Sequence, residues 1–323
     1  MSEISNIRAF IKPEMTKFEP FFKNAVKSNV PLLDIIMNYI IRRKGKQMRP
    51  MFVFLSAKLT GGVTDSTYTA AALIELLHTA TLIHDDVVDS SEKRRGFFSV
   101  NALWRSKIAV LAGDFLLSKG LLLAVENKEF NLLEIVSEAV KEMAEGELLQ
   151  IEKSRKLDIT EETYFEIIYK KTATLIASCT AAGAASANAN KEHTEKLKQF
   201  GKYAGITFQI KDDLFDYQKT NLTGKPSGND IQEKKITLPL IYALKNADKS
   251  EKHRILKLIN KPDRQKYISE ITDFVKNKNG LEYTEDKMNE YKKLALQNLE
   301  NFPESDAKKN LLGLVNYITT RKK

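Results

Sequence analysis

Apolar residues recur along most of this chain at intervals of three and four, the spacing of helices that bury one face. Alternating apolar and polar runs long enough for a strand are absent. The pattern predicts helices over residues 32–41, 69–89, 108–126, 132–151, 164–185, 195–216 and 238–245, with more in the Lys-rich C-terminal third. Eight prolines and fourteen glycines punctuate 323 residues, mostly where helices would end. Apolar content hardly changes from start to finish, and no Gly/Ser/Pro-rich linker separates two halves. The expectation is one large all-α domain over residues 1–323, built as a helical bundle.

Composition narrows the class of function. Hydrophobic residues make up 42% and charged residues 29%, the balance of a soluble globular chain. The net charge of +9 is mild, and the basic residues are spread rather than clustered with aromatics. That argues against nucleic acid and for anionic small molecules. The only cysteine, Cys179, cannot close an intrachain disulfide and reads as a small buried filler. The first residues lack a basic and an apolar region, so no signal peptide is expected. The longest apolar stretch, 108–125, is interrupted by Asp114 and Lys119, so no transmembrane segment is expected and the location is read as cytoplasmic.

One acidic motif occurs twice. Asp85-Asp86-Val87-Val88-Asp89 and Asp212-Asp213-Leu214-Phe215-Asp216 each close a long apolar helix. Asp85 and Asp89 share a helix face, as do Asp212 and Asp216, and like charges at that spacing destabilise a helix. The C-terminal end is also the negative end of the helix dipole. Sixteen aspartates in random order would give about 0.04 copies of such a motif, and two copies about once in a thousand sequences. A hard divalent cation explains both: Mg²⁺ takes one or two carboxylates and completes its shell with phosphate oxygens and water.

Cations stand beside glycine or proline around these motifs. Gly45-Lys46-Gln47-Met48-Arg49-Pro50 puts Lys46 and Arg49 near one face at the start of a helix, and Arg94-Arg95-Gly96 follows the first motif. Lys171-Thr172 falls in mid-helix, Lys225 lies in the loop after the second motif, and Lys235 precedes Thr237-Leu238-Pro239. Each alone is ordinary surface charge. Together they would suit a polyanion, because Arg forks match phosphate oxygens and Lys adds point charge. The glycine loop at Gly224 is not a Walker loop, since the second glycine and the Ser or Thr after Lys225 are missing.

In this order, from about Lys44 to Ala243, these residues resemble the trans-isoprenyl diphosphate synthases, the farnesyl, geranylgeranyl and longer polyprenyl diphosphate synthases. The resemblance implies the isoprenoid synthase fold, a bundle around a central active-site cavity. It also implies a homodimer and a long-chain product destined for a quinone side chain, with transient membrane contact on product release. Lys46, Arg49, His78 and Arg95 would hold isopentenyl diphosphate. Arg94, Lys171, Thr172, Gln209, Lys225 and Lys235 would line the allylic diphosphate. Asp85, Asp89 and Asp212 would be the chief Mg²⁺ ligands, with Asp86, Asp213 and Asp216 in or near the same shell. One departure is Phe97-Phe98-Ser99, where the family usually has a polar residue, Pro and Thr.

The implied reaction is ionisation of the allylic diphosphate, attack by the double bond of isopentenyl diphosphate, and loss of a proton. Synthases that stop early place bulky aromatics four and five residues before the first aspartate. Thr81 and Ala80 stand there, both small, with Leu77 deeper on the same stripe. A long product is therefore expected. The alternatives are a geranylgeranyl or farnesyl diphosphate synthase and a class I terpene cyclase. The cyclase would have no use for Lys46, Arg49 and Arg95. A non-catalytic partner subunit would be free to lose its aspartates, and all six are kept.

Overall fold

The computed structural model describes residues 3–42, 45–94, 96–217 and 228–321, with only the backbone of Arg94 described. The chain divides into two compact units. The first is Met1–Val140, Ser178–Lys198 and Phe302–Leu311, and the second is Lys141–Ala177, Gln199–Asn301 and Leu312–Lys323.

The first unit holds α1 (Glu3–Phe10), α2 (Lys12–Ala25), α3 (Pro31–Arg42), α4 (Met48–Thr60), α5 (Asp65–Val88), the two-residue strands β1 (Lys93–Arg94) and β2 (Phe97–Phe98), and α6 (Val100–Glu126). Helix α7 (Phe130–Lys156) begins in this unit and ends in the second. Thr64 caps α5 in a capping box with Thr67, and Ser99 caps α6 by accepting the Ala102 N–H. Helix α5 lies along α6, with Leu76, Ala80 and Ile83 packed in one cluster with Ala109, Ala112 and Leu116. Helix α6 breaks at Arg105, whose φ of 68° and ψ of 163° belong to a region left almost entirely to glycine.

The second unit continues with α8 (Glu161–Ile168), a π-turn over Tyr169–Ala173, α9 (Thr174–Ser186), α10 (Lys191–Asp216), α11 (Asn229–Gln232), α12 (Leu238–Lys245), α13 (Lys249–Asn260), a 3-10 turn, α14 (Ile268–Asn277), α15 (Gly280–Gln297) and α16 (Asp306–Thr320). Helices α9, α10 and α16, like α7, contribute residues to both units. Ile206, Ile210 and Leu214 of α10 bury among Leu238, Leu240, Ile255 and Ile271.

Three details differ from the sequence-based expectation. The β1–β2 pair, Lys93 opposite Phe98 and Arg94 opposite Phe97, is too short to show any alternation. The predicted helix over 164–185 is interrupted by the π-turn. By length and composition α6 is apolar enough to cross a membrane despite Asp114 and Lys119, although 33% of that stretch is buried. Cys179 is buried, and burial pushes its thiol up, as suits a filler.

Candidate active site

In the first unit, the last turn of α5 carries the first acidic motif. Asp85 is half-buried and Asp89 exposed at the helix end, one turn apart on one face. Asp86 points elsewhere: it is 4% exposed and lines a cleft of about 980 Å³ with Arg49, Glu75, Gln47 and Phe98. The Arg49 Nε donates to Glu75 Oε1 at 2.7 Å, with both side chains largely buried. Sequence reading missed Glu75, although it stands one turn before His78 on the same helix.

Lys46 does not join Arg49 in that cleft. Gln47 takes a left-handed conformation, φ 53°, immediately before α4. Lys46 lines a separate cleft of about 700 Å³ with Arg8, Lys12 and Thr16. His78 sits half-buried in α5, and its carbonyl accepts the Thr81 hydroxyl at 2.9 Å. Ala80 is fully buried and Leu77 nearly so. Arg95, Lys225 and the Arg94 side chain lie outside the described residues.

The second unit gathers more of the expected set. Lys171, Thr172, Gln209, Asp213 and Lys235 line one cleft of about 720 Å³, together with Gln150, Tyr164 and Asp230. Thr172 donates to Gln209 Oε1 at 2.9 Å, Gln209 Nε2 to Asp213 Oδ1 at 2.8 Å, and Tyr164 to Asp213 Oδ2 at 2.6 Å. Asp213 is therefore fixed from two sides. Burial pushes its carboxyl well above the usual range, and Asp230 adds to this against Tyr164 and Gln209. Burial, then the Asp213 charge, raises the Tyr164 phenol in turn.

The other two aspartates of this motif have different partners. Asp216 accepts the backbone N–H groups of Asn229 at 2.9 Å and Asp230 at 3.1 Å, so it holds the start of α11. Asp212, 38% exposed, receives Arg321 Nη2 at 2.5 Å. Lys171 pairs with Glu147 at 2.5 Å and donates to Gln150 at 3.3 Å. Burial pulls the Lys235 ammonium down, but its contact with Glu233, helped by Asp230 and Glu147, carries it up. Glu147, Gln150, Tyr164, Asp230 and Arg321 carry no motif, and only the fold brings them to the site.

Lys171 and Thr172 ride on the π-turn, a wide turn often found at functional positions. Two glycines make room for it. A Cβ on Gly146 of α7 would lie 2.8 Å from the Lys171 nitrogen, and one on Gly205 of α10 would lie 2.5 Å from the Ala173 Cα. The turn is thus clamped from both sides.

Among the described residues no three carboxylates, imidazoles or thiols converge on a metal-sized space. A hard cation that takes one or two carboxylates and relies on phosphate and water needs no such cage. Asp85 and Asp89 in the first unit, and Asp212 in the second, are each solvent-accessible oxygen donors at a helix end, the kind of ligand such an ion takes.

Asp230 offers a pH test. Burial, then Asp216, raises its carboxyl to about 7, against the pull of Lys235. Its folded-state pKa exceeds the unfolded value, so the native state holds the extra proton between about pH 4 and 7. Stability falls as pH rises through that window, and the full penalty is present above it. Asp230→Asn should remove about 2–4 kcal/mol of that decline in the metal-free protein. Thermal melts at pH 5 and 8 check this; equal losses in both proteins would clear Asp230 of the effect.

Residues 30–276 match the polyprenyl synthetase family. The octaprenyl diphosphate synthase of Escherichia coli (strain K12) is 34% identical over 297 residues, which cover 92% of each chain. A short chain isoprenyl diphosphate synthase of Methanothermobacter thermautotrophicus is 35% identical over 288 residues, 88% of each chain. Among solved structures, a polyprenyl synthase from Caulobacter crescentus CB15 complexed with calcium and isoprenyl diphosphate has a TM-score of 0.88 at 31% identity. That match covers 99% of this chain and 98% of that one.

Proposed function

The chain belongs to the polyprenyl synthetase family and is a prenyltransferase with the all-α isoprenoid synthase fold, and from there we propose its particular reaction. It condenses isopentenyl diphosphate with an allylic diphosphate, with Mg²⁺ bound, and makes a long all-trans polyprenyl diphosphate for a quinone side chain. The observation that carries the diphosphate reading is the second-unit cleft, which Lys171 and Lys235 line together with hydrogen-bonded Thr172, Gln209 and Asp213.

Asp85, Asp89 and Asp212 would hold the metal. When bound, it neutralises charge on the departing pyrophosphate. Lys171 and Lys235, with Arg94 and Lys225, add fixed positive charge to the same leaving group. Arg49, His78 and Arg95, with Lys46 from the adjoining cleft that Gly45 and Gln47 also line, hold isopentenyl diphosphate so that its double bond attacks the allylic cation. The proton lost in forming the new double bond passes to pyrophosphate. The whole chain acts as one synthase domain in the cytoplasm. A homodimer is supported by the exposed apolar stripe of Leu103, Val110, Leu111, Leu121, Leu122 and Val125 on α6.

Incubation with farnesyl diphosphate, labelled isopentenyl diphosphate and Mg²⁺, followed by chromatography of the dephosphorylated products, tests this reading. A cyclic hydrocarbon made without isopentenyl diphosphate would replace it with a terpene cyclase. The adjacent arginines give a finer check. Arg95→Ala should mainly raise the KM for isopentenyl diphosphate and Arg94→Ala should mainly impair the allylic substrate, each by about tenfold to a hundredfold. Identical effects of both variants on both substrates would remove the division of labour.

A further inference from the structure

Arg321 is a basic residue at the end of α16 that the reaction above does not use. Its amide bonds to the Tyr317 carbonyl at 2.9 Å, so the helix carries it to a fixed place. Its side chain is 11% exposed and its Nη2 rests on Asp212 Oδ1 at 2.5 Å. The guanidinium carbon lies 4.2 Å from the Phe208 ring centre and 5.4 Å from that of Phe215. Phe208, Asp212 and Phe215 follow one another at four and three residues along α10, so a single helix face holds the whole guanidinium.

This seat is strained electrostatically. The Lys211 ammonium shares the Phe215 ring with Arg321, 5.0 Å from its centre. The Arg321 Nε is buried with no hydrogen-bond partner among the described residues. A guanidinium in this position therefore gives up one donor and crowds a second cation, and its return is the Asp212 carboxylate. Asp213 and Asp216 of the same motif are occupied differently, by Tyr164 with Gln209 and by the start of α11.

We propose that Arg321 is a positioning residue and place-holder at the second acidic motif. It neutralises and orients Asp212 while no metal is bound, and a divalent cation must displace it. A guanidinium and a divalent ion compete for the same oxygen and repel each other, so metal at Asp212 Oδ1 and the Arg321 contact there exclude one another. The end of α16 then loosens when the site is loaded. The inference rests on reading Asp212 as a metal ligand.

The test is Mn²⁺ binding followed by electron paramagnetic resonance without any diphosphate, in wild type, Arg321→Gln, Arg321→Lys and Asp212→Asn. Arg321→Gln should bind the second-motif Mn²⁺ roughly tenfold more tightly than wild type, with Arg321→Lys in between. Hydrogen exchange supplies the second readout: Mn²⁺ should speed exchange in the last turn of α16 in wild type and leave Asp212→Asn unchanged. Equal or weaker Mn²⁺ binding in Arg321→Gln, while Asp212→Asn loses it, would overturn the place-holder and leave Asp212 as a ligand. Unaltered Mn²⁺ binding in Asp212→Asn would remove the metal reading of Asp212, and the place-holder with it. Melting curves of each variant confirm that the comparison is between folded proteins.

Discussion

Asp85→Ala and Asp212→Ala are each expected to cut turnover in Mg²⁺ by about a thousandfold or more, since a bound metal is worth several kcal/mol to the departing pyrophosphate. Asp85 is half-buried at the helix end, so its removal should leave the melting temperature nearly unchanged, whereas Asp212→Ala also strands the largely buried Arg321 guanidinium and should lower it. Asp213→Ala and Asp216→Ala should behave differently. The first leaves the Tyr164 hydroxyl and Gln209 amide without their acceptor in a buried place, at about 1–3 kcal/mol. The second removes the support for α11, at about 1 kcal/mol. Steady-state turnover measured beside thermal melts separates the two groups. A tenth of wild-type rate surviving in Asp85→Ala or Asp212→Ala would show that the motif concerned does not hold the metal.

A bulky side chain before the first acidic motif is expected to shorten the product. If the growing chain threads along α5, small residues at Ala80 and Thr81 let it pass to Leu77 and Leu73, about 5 to 10 Å deeper, for roughly six to eight units. The structure ranks the two sites as probes. Ala80 is fully buried in the cluster with Ala112 and Leu116, so Ala80→Phe overpacks that interior at about 1–3 kcal/mol. Thr81 is half-buried and its hydroxyl bonds back to His78, so Thr81→Phe perturbs packing less. Each variant should accumulate products of three or four units while still consuming both substrates. Chromatography that finds unchanged lengths in both folded variants would place the floor elsewhere.

Much of this site is legible in the sequence because its chemistry is concentrated in short runs. The two acidic motifs end α5 and α10 as the apolar patterns say, and α12 spans the predicted residues 238–245. Other parts have no local signature. Helix α4 buries every residue from Pro50 to Ala57 and so shows no polar face to reveal its period. The π-turn depends on Gly146 and Gly205, distant in sequence and ordinary there. The ion pair of Arg49 spans 26 residues to Glu75, and that of Asp212 spans 109 to Arg321. A spacing of three residues predicts Lys46 and Arg49 on one face, but the left-handed Gln47 puts Lys46 outside the helix.

The π-turn has a consequence best put in terms of insertion and deletion. Such a turn is an α-helix with one residue too many. Losing one codon from Tyr169–Ala173 would let α8 and α9 join into an unbroken helix, with regular hydrogen bonding throughout. The flanking helices would keep their faces, because the π-turn absorbs its extra residue locally, and only residues within the turn would swing, by up to about 100° around the axis. Folding would register such a lesion as a repair, while the ammonium of Lys171 left its cleft. A reading-frame-preserving deletion is usually most harmful in the middle of a buried helix; here it would spare the helix and strike the chemistry.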